Sequence, residues 1–219
     1  MFKVRVVSYG KPAIGVELKD DLLQMVAYCA RVSNPNNQNN EETAEKLVKY
    51  LIKHQHWSPL EMASVCMEID TTRDIARQIL RHRSFSFQEF SQRYADPTKD
   101  LSFVTREARM QDDKNRQNSV DLSIDDPIHH IWESYQEVII ERCKHAYEWA
   151  IDAGIAKEQA RAILPEGLTM SRMYVNGTLR SWIHYIQLRA ANGTQKEHQE
   201  IAKACAEAIY QIFPLDDVI

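Results

Sequence analysis

The sequence predicts an α+β fold: a single domain over residues 1–219 with a small, mainly antiparallel sheet and several long helices. Three observations predict it. Two early segments alternate apolar and polar residues, as a half-buried strand does. From Pro127 onward apolar residues recur at helical spacing instead. No repeat, low-complexity tail or linker divides the chain, and its composition, 44% hydrophobic and 26% charged, supplies one sizeable core.

The first strand is read at Phe2, Val4 and Val6, which face away from Lys3 and Arg5. A short helix is expected over Leu22–Val32, and the polar, proline-bearing Ser33–Asn40 reads as a loop. Asn40 followed by Glu41 and Glu42 resembles a helix start with acids in its first turn, and Leu47, Val48, Leu51 and Ile52 give that helix one apolar face. Trp57-Ser58-Pro59 breaks it. The second strand is Ala63–Ile69, with Val65, Met67 and Ile69 opposite Ser64, Cys66 and Glu68. Thr71 or Thr72 can cap a helix to about Arg83, with Ile75, Ala76, Ile79 and Leu80 inward. Asp96–Pro127 is long, polar and irregular, the kind of segment that serves as a lid or flap. Four helices follow, at Ile131–Ala153, Lys157–Ile163, Thr178–Leu188 and Lys196–Ile212.

Charge excludes some functions. With 27 basic and 31 acidic residues the net charge is −4, which argues against a protein that coats nucleic acid. No apolar run approaches the roughly 20 residues of a membrane span. No secretory signal is visible either, so a cytoplasmic protein without membrane contact is expected. The four cysteines are far apart, form no CxxC pair, and are read as free thiols in a reducing compartment.

Against that acidic average stands Arg73–Arg93. Five arginines face Asp74 and Glu89 there, a net +3, which leaves −7 for the rest of the chain. Arginine rather than lysine suits bidentate contact with phosphate or carboxylate. The following Ser84-Phe85-Ser86-Phe87-Gln88-Glu89-Phe90-Ser91-Gln92-Arg93-Tyr94 interleaves hydroxyls, aromatics and a carboxylate. Ser91, Arg93 and backbone amides can hold a phosphate, while Glu89 accepts from a ribose hydroxyl. Stacking of single-stranded nucleic acid on the aromatics is the alternative. A nucleotide-sized ligand fits the local charge better than a polymer. With six glycines and neither GxGxxG nor GxxxxGK[ST], a Rossmann or P-loop cradle is unsupported.

Arg81-His82-Arg83, seven residues and then Ser91 resemble the RHR-x7-S signature of the flavin-dependent thymidylate synthases. HQHWSPLEM upstream, and ARAILPEGL and LRSWIHYIQLR downstream, extend the resemblance to about Leu47–Phe213. It implies an enzyme that makes thymidylate from dUMP, with methylenetetrahydrofolate as carbon donor and reduced FAD as hydride donor. NADPH re-reduces the flavin, and no enzymic cysteine attacks the uracil ring. Homotetramers with shared active sites are implied too, in which Arg161 and Arg189 serve a neighbour.

The same resemblance assigns roles. FAD would be held by His56, Ser58, Arg81, His82, Arg83, Glu89, Thr178, Arg180 and His184. The dUMP pocket would be bordered by Gln78, Arg81, Glu89, Gln92 and Arg189, and its phosphate held by Ser91, Arg93 and Arg161. Arg189 would be the catalytic residue, stabilising the anion that develops on the uracil. Thr178 departs from the pattern, since an Asn commonly stands two residues before the arginine matched by Arg180. The resemblance gives no role to Arg106–Ser119.

Blander roles fit other features. His54-Gln55-His56 lacks the further acids or thiols that a metal site requires, so no metal is expected. Trp132, Tyr135, Ile139, Cys143 and Ala146 recur at helical spacing and are read as core or interface. Two function classes remain open on the residues alone, a nucleotide-using enzyme and a nucleotide- or single-strand-binding module. His56, Arg161 and Arg189, together with the resemblance, favour the enzyme.

Overall fold

The computed structural model describes residues 2–13, 16, 18 and 21–215. Its strands are β1 (Lys3–Tyr9), β2 (Ser64–Thr72), β3 (Ser86–Glu89), β4 (Arg109–Gln111), β5 (Ser119–Asp121) and β6 (Met170–Thr178). The main sheet runs β1-β2-β6-β3 with every neighbour antiparallel, and β4 and β5 form a separate hairpin. The helices are α1 (Leu22–Ala30), α2 (Ala44–Lys53), α3 (Arg73–Ile79), α4 (Pro97–Asp100), α5 (Pro127–Asp152), α6 (Lys157–Ala160), α7 (Leu179–Arg189) and α8 (Lys196–Tyr210). The expected α+β class with a small antiparallel sheet is what the chain adopts.

Alternation sorts the two faces of the sheet. Val65, Met67 and Ile69 of β2 and Met173 and Val175 of β6 are fully buried, and they share one core with residues of α1, α2, α7 and α8. Trp182 of α7 seals the contact by donating from Nε1 to the Val65 carbonyl at 3.0 Å. The other face is a compensated charge ladder. Glu68 stands between Arg5 of β1 and Tyr174 of β6 in register, and Arg5 grips it with two bonds of 2.8 and 2.9 Å. Arg172 holds Asp70 in the same way at 2.7 and 2.8 Å. These forks keep the buried Glu68 carboxylate ionised, below the usual range, with Arg5 the main cause.

Strand β6 lies between β2 and β3, yet it was not anticipated from the sequence. Its outward residues Arg172, Tyr174 and Asn176 are polar or amphipathic, and Asn176-Gly177 reads as a turn. The glycine has a different reason. A Cβ at Gly177 would lie 2.3 Å from Cδ1 of Phe85, whose ring packs on Trp182 at 4.6 Å. Gly177→Ala is therefore expected to destabilise the protein by about 1–3 kcal/mol, read as a lower urea midpoint at unchanged slope.

Other boundaries shift for local reasons. The second strand runs to Thr72 rather than Ile69, paired with β6 along its whole length. α2 begins at Ala44 rather than directly after Asn40, whose side chain instead accepts from the Thr43 amide at 3.3 Å. α3 stops at Ile79, well short of Arg83. The fifth helix starts earlier than expected, at Pro127, with Asp126 accepting from the Ile128 amide. Lys157–Ile163 splits into α6 and a 3-10 turn, Arg161–Ile163. The 96–127 segment holds α4 and the β4–β5 hairpin rather than being structureless. Gln136 of α5 fastens that segment, since its amide both accepts from and donates to the Arg106 backbone, at 2.8 and 2.9 Å.

Candidate active site

The end of α3 sets the site. Arg81, His82 and Arg83 leave the helix as a turn, in which the His82 amide donates to the Ile79 carbonyl at 3.0 Å. Arg77 and Arg81 therefore do not share a helix face. Ion pairing separates the five arginines. Arg73 reaches Glu89 and Glu166, Arg77 reaches Glu166, and Arg93 reaches Glu158. Arg81 and Arg83 are exposed and form no side-chain hydrogen bond or ion pair among the described residues. These two cations are free for an anionic ligand.

α7 carries candidate residues at both ends. Thr178 caps it, accepting from the Ser181 amide at 3.3 Å, so its hydroxyl has a structural task. Arg180 pairs with Glu61, and the His184 ring meets Trp57 edge-on at 4.4 Å. Both contacts fasten α7 to the short helix Ser58–Glu61, so Ser58, Arg180 and His184 occupy one corner. Burial, then the charge of Arg180, lowers the His184 imidazole below its ordinary value. His56 enters the same corner from the end of α2. Gln55 there takes a left-handed φ of 58°, while the His56 amide donates to the Leu51 carbonyl at 2.8 Å. A left-handed non-glycine residue costs about 1–2 kcal/mol, and here it closes a Schellman-type cap that fixes where His56 emerges. His54 instead packs on Tyr50 at 4.2 Å.

At the far end of α7, Arg189 Nε donates to His82 Nε2 at 2.9 Å. The imidazole must therefore be neutral on that nitrogen. Burial, then the charges of Arg189 and Arg81, lowers its pKa accordingly. Arg180 and Arg189 are nine residues apart, about 13 Å of rise and about half a turn out of phase. They face different surroundings, so the corner of Ser58, Arg180 and His184 and the Arg189 contact lie on separate sides of one helix.

The remaining candidates lie along β3 and beyond. Glu89 accepts from Ser171 Oγ at 2.8 Å and faces Arg73 at 3.5 Å, so its carboxylate is anchored. Ser91 Oγ accepts from the Arg93 amide at 3.4 Å, which leaves its own O–H to donate. Gln92 is buried, and its Nε2 has no hydrogen-bond partner among the described residues. Lys157 donates to the Tyr94 carbonyl at 2.8 Å, and Glu158 reaches Arg93 at 3.4 Å. Those two contacts bring the turn that bears Arg161 against the Ser91–Arg93 segment.

Four residues next to the site escaped notice in the sequence. Gln78 Nε2 donates to Gln195 Oε1 at 2.9 Å, and Gln78 Oε1 lies 3.1 Å from Nδ1 of the fully buried His198. His198 Nε2 lies 3.1 Å from the Tyr185 hydroxyl, and Glu197 continues the chain from Gln195. One signal could have found His198, because it precedes Ile201 and Cys205 at helical spacing on the apolar face of α8. Burial, then Arg189 and His82, holds its pKa at about 3. Burial also raises all four cysteine thiols, which leaves none of them activated.

Comparison with known proteins places this geometry. Residues 16–215 match the family described as thymidylate synthase complementing protein. A probable flavin-dependent thymidylate synthase of Paramecium bursaria Chlorella virus 1 is 48% identical over 211 residues, 96% of this chain and 94% of that one. The flavin-dependent thymidylate synthase of a Synechocystis species is 48% identical over 214 residues, 96% and 95% of the two chains. Among solved structures, a UMP/dUMP methylase from Streptomyces cacaoi bound with 5-Br dUMP superposes with a TM-score of 0.80 at 23% identity, covering 98% of this chain and 92% of that one. The turn with its two free arginines, the Arg189–His82 contact and these relatives agree: the chain belongs to the family of flavin-dependent thymidylate synthases.

Proposed function

We propose that the chain methylates dUMP reductively to thymidylate, with methylenetetrahydrofolate as carbon donor, FAD as hydride carrier and NADPH as reductant. The observation that carries this reading is the Arg189–His82 contact beside Arg81 and Arg83, which have no side-chain partner among the described residues. The residues fit a flavin nucleotide. Two exposed guanidiniums can meet a pyrophosphate, and the corner of His56, Ser58, Arg180 and His184 offers imidazole, hydroxyl and guanidinium groups. FAD, when bound there, supplies the redox chemistry that no side chain can.

This chain's own residues bind and polarise. Ser91, Arg93 and Arg161 would take the dUMP phosphate, which displaces Glu158 from Arg93. Glu89 and the buried Gln92 would border the nucleotide, and Gln78 and Arg189 would face the uracil. A guanidinium stays charged at any working pH, so Arg189 stabilises negative charge on the ring without a proton transfer. The unactivated thiols support a route that needs no cysteine nucleophile. No helix among the described residues is long and apolar enough to cross a membrane, and a cytoplasmic setting suits four free thiols.

The test is the visible spectrum after incubation with FAD and desalting, with and without dUMP. A retained flavin band that shifts when dUMP is added is expected. A colourless, correctly folded protein would leave a nucleotide-binding module without redox chemistry.

A further inference from the structure

We infer that His198 is a positioning residue for the pyrimidine: together with Gln195 it holds the Gln78 amide in one orientation, in a hydrogen-bonded chain anchored by Arg109 of the β4–β5 hairpin. The inference rests on the placement of Gln78 beside dUMP.

The direction of the chain can be worked out from its charged end. Glu197 can only accept, and Arg109 pairs with one of its oxygens. Its other oxygen, Oε2, takes the Gln195 Nε2 bond at 2.9 Å. Gln195 therefore presents its Oε1 to Gln78, and Gln78 must answer with Nε2, at 2.9 Å. That turns Gln78 Oε1 toward His198 Nδ1 at 3.1 Å, so Nδ1 carries the proton. His198 Nε2 is then the acceptor, and the Tyr185 hydroxyl donates to it at 3.1 Å. Every link runs donor to acceptor from Tyr185 to Glu197. A flipped Gln78 would set oxygen against oxygen at Gln195 and N–H against N–H at His198. Burial supports the assignment, since it keeps His198 neutral at working pH.

With the amide fixed, Gln78 has one N–H and one oxygen lone pair left over. That is the complement of an imide edge, which offers one carbonyl and one N–H, as uracil does. Lose the His198 bond and only the Gln195 contact still opposes a flip, so the matching pattern is held less firmly. The β4–β5 hairpin, which has no role from the resemblance, thereby acquires one. Arg109 pairs with Glu197, and Glu197 sets the direction of everything that follows.

The experiment is calorimetric titration of dUMP into the FAD-loaded protein and its variants. His198→Leu is expected to weaken dUMP binding about fivefold to tenfold, the worth of one such bond, with FAD retention unchanged. His198→Asn is expected to recover most of that loss, because its amide N–H stands where Nδ1–H stood. In a Gln78→Ala background His198→Leu is expected to cost nothing more. If it weakens binding as much there as alone, His198 acts through the core and the inference falls. If Asn rescues no better than Leu, it falls as well. Should the leucine variant fail to fold, His198→Gln replaces it, since glutamine reaches the Tyr185 side rather than Gln78. It should bind as weakly as expected for Leu while Asn does not, and equal binding by the two would overturn the inference. If Gln78→Ala leaves dUMP affinity unchanged while dUMP still binds, the placement of Gln78 is wrong and the inference goes with it. The function proposed above would survive that result.

Discussion

Arg189→Ala is expected to lower thymidylate formation by about 10²–10³-fold while FAD retention stays within about threefold. Its Nε is committed to His82, and its two terminal nitrogens have no other side-chain partner among the described residues. In the proposed role those nitrogens are the donors that would meet the uracil anion. Arg189→Lys keeps the charge but not the planar fork, so it should recover only part of the rate. Two measurements separate the candidate roles: product formation by chromatography, and the flavin band after desalting. Normal turnover in Arg189→Ala would remove the residue from catalysis. Loss of FAD together with turnover would mean that Arg189 serves chiefly to orient His82, which lies in the turn with the free arginines.

Much of this site was legible because arginine-rich chemistry is written locally. Arg81, His82, Arg83 and Ser91 stand within eleven residues, and no long-range contact is needed to notice them. What the sequence could not give was which arginines are already spent. Glu166, Glu158 and Glu89 neutralise Arg73, Arg77 and Arg93, and two of those carboxylates come from beyond residue 150. The end of α3 was missed for a related reason, because Leu80 continues the apolar periodicity while the backbone has already turned. β6 was missed because Gly177 carries a tertiary constraint, the Phe85 ring, that looks locally like a turn. His198 was missed because its partners, Gln78 and Tyr185, lie 120 and 13 residues away. Short-range pattern picks out the candidate ligand-binding residues, and the residues that hold them in place come from distant parts of the chain.

The α5 stripe, read from the sequence as core or interface, is largely exposed in the chain, and it leads to the second large expectation. Of 26 residues in this helix only Gln136, Tyr147 and Ala150 are buried. Ile131, Trp132, Tyr135, Val138 and Ile139 are each 44–65% exposed, and the first three with Ile139 recur at helical spacing. A stripe of that length exceeds the scattered apolar residues that a monomer surface ordinarily carries. We propose that further copies of the chain cover it in a homotetramer, consistent with a site whose parts lie on opposite sides of α7. Trp132→Glu with Tyr135→Glu is then expected to break the assembly. A buried, unpaired carboxylate costs about 3 kcal/mol or more, and a two-fold interface meets each substitution twice. Because both side chains are exposed on the isolated chain, the circular dichroism spectrum should be unchanged while light scattering reports a smaller particle. FAD retention and turnover should fall together with the mass, since a subunit alone holds the proposed flavin corner and Arg189 apart. A variant that keeps the unaltered protein's mass would remove α5 from the interface. One that dissociates yet turns over normally would show that each chain builds its active site alone.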